Sequence, residues 1–296
     1  MNRTLASLVV GLMFVPALAA QTPEQKRATI KYLQELQCPD GGFHPQAVDP
    51  RLDQIPCGSL RATSSALRAL KYFGGAPKDK PAAEKFVTGC YDAQAGAFAD
   101  TPNGKPDVFT TAIGLMAIAE LKLGTDAMRD AGVKYLAENA KEFEDVRIAA
   151  AGMEATGKLA PQAELWYRHL QGKANDDGSF GKGAERARAT GGTVVTILRL
   201  GGKIPESAKI VEILNAGQNK DGAFGKDEGG ASDLEASYRV MRCYHMLKAQ
   251  PAKADALRAF VAKCRNDDGG YGVQPGKPSN VGGTYFVGII LHWLGP

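Results

Sequence analysis

The stretch NDDGGYG at positions 266–272 decides the fold of this chain, because variants of it recur along the sequence. Each variant joins Asp or Asn and one or two glycines to an aromatic residue. The other copies read CPDGGF from Cys38, DAQAGAF from Asp92, NDDGSFG from Asn175 and NKDGAFG from Asn219. A phrase that returns at a nearly fixed interval is the signature of a repeat protein.

The spacing of the aromatic residues indicates six repeats. They stand at positions 43, 98, 180, 224 and 271, so the intervals are 55, 82, 44 and 47 residues. The interval of 82 is close to two periods, and Phe143 divides it into 45 and 37. We therefore assign Phe143 to a degraded sixth copy.

Each repeat predicts a pair of helices. A charged, amphipathic stretch such as PEQKRATIKYLQELQ (23–37) leads into the phrase, whose Asp and Gly suit a left-handed helix end. A second stretch follows that is apolar on most faces, as in TTAIGLMAIAELKLG (110–124). A helix that is apolar all round is buried on several sides. Amphipathic outer helices should therefore surround apolar inner helices.

The last helix decides between an open stack and a closed ring. An open solenoid needs a polar outer face on its terminal repeat, but VGGTYFVGIILHWLG (281–295) is among the most apolar stretches of the chain. This helix needs a partner, and the first repeat is available. The sequence therefore predicts an all-α fold, the α/α toroid, which is a closed ring of about six helical hairpins with an inner and an outer layer.

The N-terminal residues predict export. Arg3 precedes an apolar run at positions 5–18, which ends in a small-residue pattern before Gln21. This arrangement is typical of a secretory signal peptide. An uncleaved membrane anchor is the alternative, because the run is at the short end of what spans a bilayer. We expect residues 1–20 to be removed and residues 21–296 to form one toroid domain in the periplasm or outside the cell.

The charge distribution argues against two classes of partner. The net charge of +4 is small and scattered, with no basic stripe carrying interleaved aromatic residues, so we expect no nucleic-acid partner. Later apolar runs are too short to cross a bilayer. We therefore expect no stable membrane span after signal cleavage.

The five cysteines are an odd number, so at least one thiol stays unpaired within the chain. Cys38, Cys90 and Cys264 each end a predicted outer helix, and in a closed ring their repeats are neighbours. Neighbouring helices lie about 8–10 Å apart, whereas a disulfide needs Cα atoms within roughly 7 Å. We therefore expect these three cysteines to be buried, unbridged thiols.

The phrases, the period near 45 residues and the apolar second helices resemble the prenyltransferase and squalene-cyclase repeat superfamily. This superfamily includes protein prenyltransferase β subunits and terpene cyclases. The resemblance covers nearly all of the chain after the predicted signal peptide. It implies the α/α-toroid fold and makes an isoprenoid the default ligand, but it implies much less about activity, because one fold supports many functions.

The zinc site of that superfamily is largely replaced. In protein prenyltransferases an Asp-x-Cys pair opens the fifth inner helix and a His opens the last one. The Asp matches Asp233, but Glu235 stands at the Cys position and Gly283 at the His position. Too few ligands remain for a tetrahedral zinc site. We expect no metal and no cofactor.

The diphosphate and cyclase signatures are replaced as well. The positions of the diphosphate-binding Arg, Lys and His hold Asp227, Gly230 and Ala189, although a prenyl diphosphate needs positive charge there. The acidic Asp-x-Asp-Asp run of cyclases is reduced to Asp107, without the paired carboxylates that raise one pKa. The sequence identifies no catalytic residue.

Two functions of different classes remain. The first is a binding or scaffold protein that holds an apolar, isoprenoid-like small molecule or a polypeptide in its central cavity. The second is a prenyl transferase-like or terpene cyclase-like enzyme that acts on an isoprenoid with a rearranged site. Whether charged and titratable side chains converge in the cavity distinguishes the two.

The residues that open the inner helices are predicted to surround the mouth of the cavity. Helix N-termini there offer free N–H groups and a positive dipole end, which suit an acidic group. Neighbouring aromatic residues suit a hydrophobic body. The alternative is that the polar members are helix N-caps, each worth about 1 kcal/mol. The predicted ligand-binding residues are Arg61, Asp107, Thr110, Thr190, Asp233, Glu235, Tyr238, Asn280 and Tyr285.

Overall fold

The computed structural model describes residues 21–47, 58–227 and 229–295. In this part of the chain twelve α-helices alternate between an outer and an inner layer, and short strands pair in two hairpins. None of the described helices has the length and apolar character that crossing a bilayer requires. The predicted signal peptide lies outside the described residues.

The helices of each layer alternate along the chain, outer before inner. The outer helices are α1 (Pro23–Glu35), α3 (Lys80–Gly89), α5 (Asp126–Asn139), α7 (Ala163–Gln171), α9 (Ser207–Ala216) and α11 (Ala254–Lys263). The inner helices are α2 (Leu60–Phe73), α4 (Val108–Leu121), α6 (Phe143–Thr156), α8 (Arg186–Arg199), α10 (Leu234–Met246) and α12 (Val281–Leu294). The hairpins pair β1 (Tyr91–Asp92) with β2 (Ala97–Phe98) and β3 (Phe224–Gly225) with β4 (Ser232–Asp233).

The inner helices form a closed ring. Each inner helix packs against the next, and α12 packs against α2. The approach is close at Gly288 of α12, where a Cβ would lie 3.1 Å from atoms of both Tyr72 and Phe73. The last repeat also contacts the first in the outer layer, since the Thr29 hydroxyl donates to the Gly269 carbonyl at 2.8 Å. The predicted closed α/α ring is confirmed.

The recurring phrases end the outer helices and anchor the inner ones. A glycine of each phrase has a left-handed φ, and at Gly269 (φ 88°) a Cβ would lie 2.6 Å from the Ala28 carbonyl oxygen. The aromatic residue of each phrase is buried. Its main-chain N–H donates to a hydroxyl on the following inner helix at 2.9–3.1 Å, a contact that we call the hydroxyl latch. The latch acceptors are Thr63, Thr111, Thr190, Ser237 and Thr284.

The assignment of Phe143 to a sixth phrase was wrong, although the count of six hairpins holds. Phe143 is the first residue of the inner helix α6. Residues 140–142 alone connect it to the end of α5. This link is too short for a glycine turn and a buried aromatic plug. The third hairpin therefore lacks the phrase rather than carrying a degraded copy.

The cysteines follow the sequence prediction in part. Cys90 and Cys264 are buried free thiols, as predicted, and so is Cys243. Burial raises the pKa of the Cys90 and Cys264 thiols to about 12, which keeps both protonated and unreactive at neutral pH. Cys38, in contrast, is disulfide-bonded. The prediction for Cys38 was wrong because it weighed only bridges between the three cysteines at helix ends.

Candidate ligand-binding site inside the ring

Three arginines from different inner helices meet inside the ring. Arg68 lies on α2, Arg199 on α8 and Arg242 on α10, and the charges of all three act on the phenol of Tyr238. Since α12 separates α10 from α2 in the ring, side chains of α2 and α10 can meet only in the interior. The Arg199 side chain is only 7% exposed. We call Arg68, Arg199 and Arg242 the arginine cluster.

Aromatic rings surround the arginine cluster. The Tyr238 ring stacks on Phe286 and on Trp293, with centroid separations of 4.9 and 5.8 Å. Tyr285 lies 5.6 Å from Tyr238 and 6.5 Å from Tyr72. Aromatic side chains of this kind offer a large apolar surface with polar groups at the edge. We call Tyr72, Tyr238, Tyr285, Phe286 and Trp293 the aromatic wall.

Arg242 is fixed by aromatic contacts. Its guanidinium carbon lies 4.7 Å from the centroid of Trp293 and 5.5 Å from that of Tyr238. Its Nη2 donates to the Tyr238 hydroxyl at 3.2 Å, whereas its buried Nε has no hydrogen-bond partner among the described residues. Cation–π contacts hold this side chain in place, and they leave part of its donor capacity unused.

Arg68, like Arg242, lies against an aromatic ring. Its guanidinium carbon lies 4.6 Å from the Tyr285 centroid, and its Nη1 contacts the Met116 sulfur at 3.5 Å. A thioether is a weak acceptor. Arg199 differs, because its Nε is 2.9 Å from Glu154 Oε2. Within the described part of the chain, neither Arg68 nor Arg242 has a carboxylate within ion-pair distance.

The two phenols of the wall form a coupled pair. The Tyr285 hydroxyl donates to the Tyr238 hydroxyl at 3.4 Å. Burial by itself would raise the pKa of Tyr238, but the positive charges of the arginine cluster outweigh burial and lower it. Burial and the neighbouring Tyr238 phenol raise the pKa of Tyr285. The arginine cluster therefore favours negative charge at this position.

Two histidines lie beside the wall at the C-terminal ends of α10 and α12. The His245 ring stacks on Trp293 at 5.3 Å, and the His292 ring lies 5.2 Å from Tyr72. Both side chains are exposed. Partial burial, followed by the charges of Arg242 and His292, lowers the pKa of His245. His245 is therefore neutral at neutral pH.

A separate chain of ion pairs crosses the N-terminal ends of three inner helices. Arg188 Nη2 lies 3.4 Å from Glu235, which also contacts Arg239. Arg239 in turn lies 3.1 Å from Glu144. Burial would raise the pKa of Glu144, but hydrogen bonds and charges from its arginine partners outweigh burial and lower it. A carboxylate held ionised in this way is unsuited to protonate an alkene or a glycosidic oxygen.

Beside this ion-pair chain lies a polar cavity of about 680 Å³, which we call the mouth cavity. Arg188 and Lys226 line it together with the acidic Asp227, Asp233 and Glu235. With two basic and three acidic side chains in its lining, this cavity carries no excess of positive charge.

Three of the predicted site residues are helix N-caps. The side-chain oxygen of each accepts from a main-chain N–H three residues on, at 2.6 Å for Asp107, 2.7 Å for Asp233 and 2.8 Å for Asn280. These hydrogen bonds satisfy the free N–H groups of the first turn. Their geometry accounts for these residue types without a ligand.

Two predicted threonines have their hydroxyls bonded to the main chain. Thr110 is 1% exposed and donates to the Phe98 carbonyl at 2.7 Å. Thr190, interpreted as a possible cap, is a latch residue one turn inside α8, which begins at Arg186. Arg61 is exposed, lies 3.9 Å from Asp107 and covers the Phe109 ring at 4.9 Å.

The residues present do not fit the zinc site of the resembling enzymes. The Asp233 carboxylate caps α10, and Glu235 is engaged by two arginines. A Cβ at Gly283 would lie 2.6 Å from the Tyr271 carbonyl oxygen, so a His cannot stand there on this backbone. Among the described residues no group of three His, Cys, Asp or Glu side chains could hold a metal ion.

The sequence reasoning placed Tyr238 and Tyr285 in the site, and the structure brings these two together. It missed the arginine cluster and Trp293, which lie deeper than the helix openings. A signal was present, since Arg199 is the one charge in the apolar stretch VVTILRLG (194–201) and Arg68 interrupts the apolar stretch ALRAL (66–70). A charge within a helix that is buried on several sides needs a partner or a ligand.

A family model described as the prenyltransferase alpha-alpha toroid domain matches residues 8–80, 75–131 and 148–295. The comparison with curated proteins found no match.

Several solved structures share the fold. Protein geranylgeranyltransferase-I from Candida albicans, complexed with GGPP, has a TM-score of 0.69 at 13% identity, with 90% of each chain covered. A variant of the type II terpene cyclase MstE from Scytonema, in complex with geranylgeranyl dihydroxybenzoate, has a TM-score of 0.55 at 14% identity, covering 84% of this chain and 80% of that one. A glycosidase variant in complex with glucose has a TM-score of 0.59 at 15% identity, covering 92% and 96%. At these identities the likeness concerns the fold alone.

Proposed function

This chain belongs to the prenyltransferase alpha-alpha toroid domain family, and on that premise we propose that it is an exported binding protein that holds an apolar, isoprenoid-like ligand inside its ring. The observation that carries the proposal is the aromatic wall, which lines the interior with stacked rings. Such a surface suits a hydrophobic body held by few polar contacts. The names of two neighbours, with GGPP and a geranylgeranyl compound, support an isoprenoid.

Binding is favoured over the family's known chemistry for two reasons. The zinc ligands are replaced at Glu235 and Gly283, and the backbone around Gly283 leaves no room for a side chain. The acidic run of cyclases is reduced to Asp107, whose carboxylate caps α4, so the paired carboxylates of an acid catalyst are absent from that position. A polypeptide segment is a less suitable occupant of the wall than a small molecule, because its main-chain polar groups would lack partners against stacked rings.

A second candidate function is an enzyme that acts on an isoprenoid. The observation in its favour is that titratable and charged side chains converge inside the ring, at the Tyr238–Tyr285 pair and the arginine cluster. A phenol with a lowered pKa can act as a general base near neutral pH. Incubation with GGPP or farnesyl diphosphate, followed by mass spectrometry of the organic extract, tests this alternative. A new product that a Tyr238→Phe variant does not form would favour the enzyme.

The binding proposal is tested with farnesol, an isoprenoid without a charged head. The chain has two tryptophans, and only Trp293 belongs to the wall. A Trp166→Phe variant therefore reports on the interior, and a Trp293→Phe variant reports on the outer helix α7 as a control. We expect a saturable change in fluorescence from the first variant and none from the second. Absence of a saturable change in both, with no lipid found in the protein by native mass spectrometry, would contradict the proposal.

Export is proposed on the pattern of residues 1–20, and the disulfide at Cys38 supports it because disulfides persist in oxidising compartments. N-terminal sequencing of the protein from its native host tests it. We expect the mature chain to begin near Ala20 or Gln21. A full-length product in the cytoplasm would contradict export and would leave the binding proposal untouched.

A further inference from the structure

We infer that Arg68 and Arg242 form a binding site for an anionic head group, a carboxylate or a phosphate, at the centre of the ring. The inference rests on the proposed function for the apolar body of the ligand. It adds the chemical class of the head and the place where the head binds.

The charge balance of the interior supports an anion. Of the three arginines in the cluster, only Arg199 has a carboxylate of a described residue within ion-pair distance, that of Glu154. The other carboxylates of the inner helices are engaged elsewhere: Glu120 lies 2.8 Å from Lys71, Glu144 and Glu235 belong to the ion-pair chain, and Asp145 accepts from main-chain N–H groups at the start of α6. Half-buried guanidinium groups without a carboxylate partner are costly. An anion between Arg68 and Arg242 would offset that cost.

The donors of both arginines are available and held in place. Arg68 uses one N–H on the weak Met116 acceptor, and Arg242 uses one on Tyr238 while its Nε has no partner. Guanidinium groups have five N–H donors in a fixed fork that suits carboxylate and phosphate oxygens. The Tyr285 and Trp293 rings fix the two forks from the side. Such preorganisation lowers the entropic cost of binding.

The two arginines stand beside the same pair of phenols. Arg68 lies over the Tyr285 ring at 4.6 Å and Arg242 lies over the Tyr238 ring at 5.5 Å, and the two hydroxyl oxygens are 3.4 Å apart. An anion beside these phenols would receive N–H donors from the guanidinium groups of two helices. The apolar rings of Phe286 and Trp293 adjoin it, so an attached hydrocarbon would lie along the aromatic wall.

The interior also has room at α8. Gly192 is buried, and a Cβ built on it would meet nothing within 4 Å. It lies on the same helix face as Arg188 and Arg199, four residues after one and seven before the other. The open space therefore adjoins the helix face that carries one residue of the ion-pair chain and one of the arginine cluster.

This place differs from the diphosphate subsite to which the family resemblance points. The matching positions are Asp227, Gly230 and Ala189, of which the first two line the mouth cavity. Arg68 and Arg242 stand instead in the middle turns of α2 and α10. The head group would therefore bind deep in the ring rather than at its opening.

The test compares farnesol, farnesoic acid and farnesyl monophosphate, which share one tail and differ in the head. We expect isothermal titration calorimetry to give at least about tenfold tighter binding of an anionic probe than of farnesol, because charge-assisted hydrogen bonds are the stronger kind. An Arg68→Gln/Arg242→Gln variant should lose this preference and keep its affinity for farnesol. Comparison of the acid with the phosphate distinguishes the two head groups.

Two controls locate the effect. Arg129→Gln removes one positive charge from the outer helix α5 and should leave the preference unchanged. Arg188→Gln removes one positive charge from the lining of the mouth cavity. If Arg188→Gln abolishes the preference while the double variant retains it, the head binds at the mouth and the inference is overturned. Arg68→Lys/Arg242→Lys, which keeps charge without the fork, serves if the Gln variant does not fold.

The outcomes separate this inference from the proposed function. Equal affinity for all three probes would overturn the inference and leave isoprenoid binding intact. If none of the three binds, the proposed function fails, and benzoate and inorganic phosphate are then the probes. A melting temperature raised by either anion in the native chain, but not in the double variant, would still support the head-group site, whereas no rise would overturn it.

Discussion

Arg68 and Arg242 are unusual among the charged residues described because aromatic rings, rather than carboxylates, surround them. A binding site that holds positive charges together without their anion lowers the stability of the ligand-free protein. Arg199, which has Glu154 at 2.9 Å, provides the matched comparison within the same cluster.

We therefore expect unequal effects from replacing these arginines with methionine. Arg68→Met should change the free energy of unfolding by less than about 1 kcal/mol, because no carboxylate among the described residues loses its partner. Arg199→Met should lower it by about 1–2 kcal/mol, since Glu154 loses its partner, although that carboxylate is 42% exposed and partly screened. Urea unfolding of both variants measures the difference. Equal destabilisation by the two substitutions would contradict the charge balance described here.

The lowered pKa of Tyr238 predicts how the free energy of unfolding changes with pH. Its pKa in the folded state is lowered by the arginine cluster, whereas in the unfolded chain a tyrosine has a pKa of about 10. Between these two values the unfolded state binds more protons, so the contribution of Tyr238 to stability rises with pH. This contribution is complete above about pH 10 and is lost as the pH falls through the folded-state pKa.

The free energy of unfolding of the native chain, minus that of Tyr238→Phe, should therefore rise with pH on the alkaline side of neutrality. The ultraviolet absorbance of tyrosinate should appear at lower pH in the native chain than in the variant. A Tyr91→Phe variant is the control, because burial raises the pKa of that phenol. A difference that stays flat until about pH 10 and falls above it would show that Tyr238 titrates as a buried, unassisted phenol.

At the scale of the elements, the hydroxyl latch explains why the inner helices begin with small polar residues. Each latch joins a buried aromatic residue of the turn to the helix that follows, as between the Tyr271 N–H and the Thr284 hydroxyl at 3.1 Å. Thr284 also donates to the Asn280 carbonyl at 2.8 Å. The latch thus satisfies a main-chain donor that lies too deep for water.

Removal of one latch should cost more than its single hydrogen bond. Thr284→Val keeps the shape but leaves the Tyr271 N–H unsatisfied, so we expect a loss of about 1–3 kcal/mol in the free energy of unfolding. Thr284→Ser retains the acceptor and should cost less. Thr88→Val, on an exposed site of α3, should change little. A larger loss for the serine variant than for the valine variant at position 284 would show that packing of the methyl group, not the latch, stabilises the turn.

The elements themselves were largely predictable, because local chemistry determines them. The apolar stretches predicted the inner helices, and the glycines of the phrases predicted the ends of the outer ones. Thr190 was misread because the start of α8 at Arg186 has no polar cap hydrogen bond to mark it. The arginine cluster was not predicted, since periodicity gives the faces of one helix but not which face points inward when six helices close into a ring.

At the scale of the whole molecule, ring closure encloses a single interior between the inner helices. The seam between α12 and α2 resembles the seams between consecutive repeats. At Gly288 a Cβ would lie 3.1 Å from Phe73, and at Gly152 of α6 it would lie 2.9 Å from the Ala112 Cα of α4. The two glycines therefore allow the same close helix approach, one across the closing seam and one within the run of repeats.

Substitution at the closing seam should consequently destabilise the entire ring. We expect Gly288→Leu and Gly152→Leu each to lower the free energy of unfolding by about 1–3 kcal/mol or more, because neither seam can admit the side chain without moving a helix. Both variants should unfold in a single transition followed by circular dichroism. Gly172→Ala, at the end of the outer helix α7, is the control, since a Cβ there meets only ordinary contacts at 3.6 Å. In an open stack, by contrast, Gly288→Leu would release α12 alone, and limited proteolysis would remove the C-terminal helix while the other repeats unfold at an unchanged urea concentration.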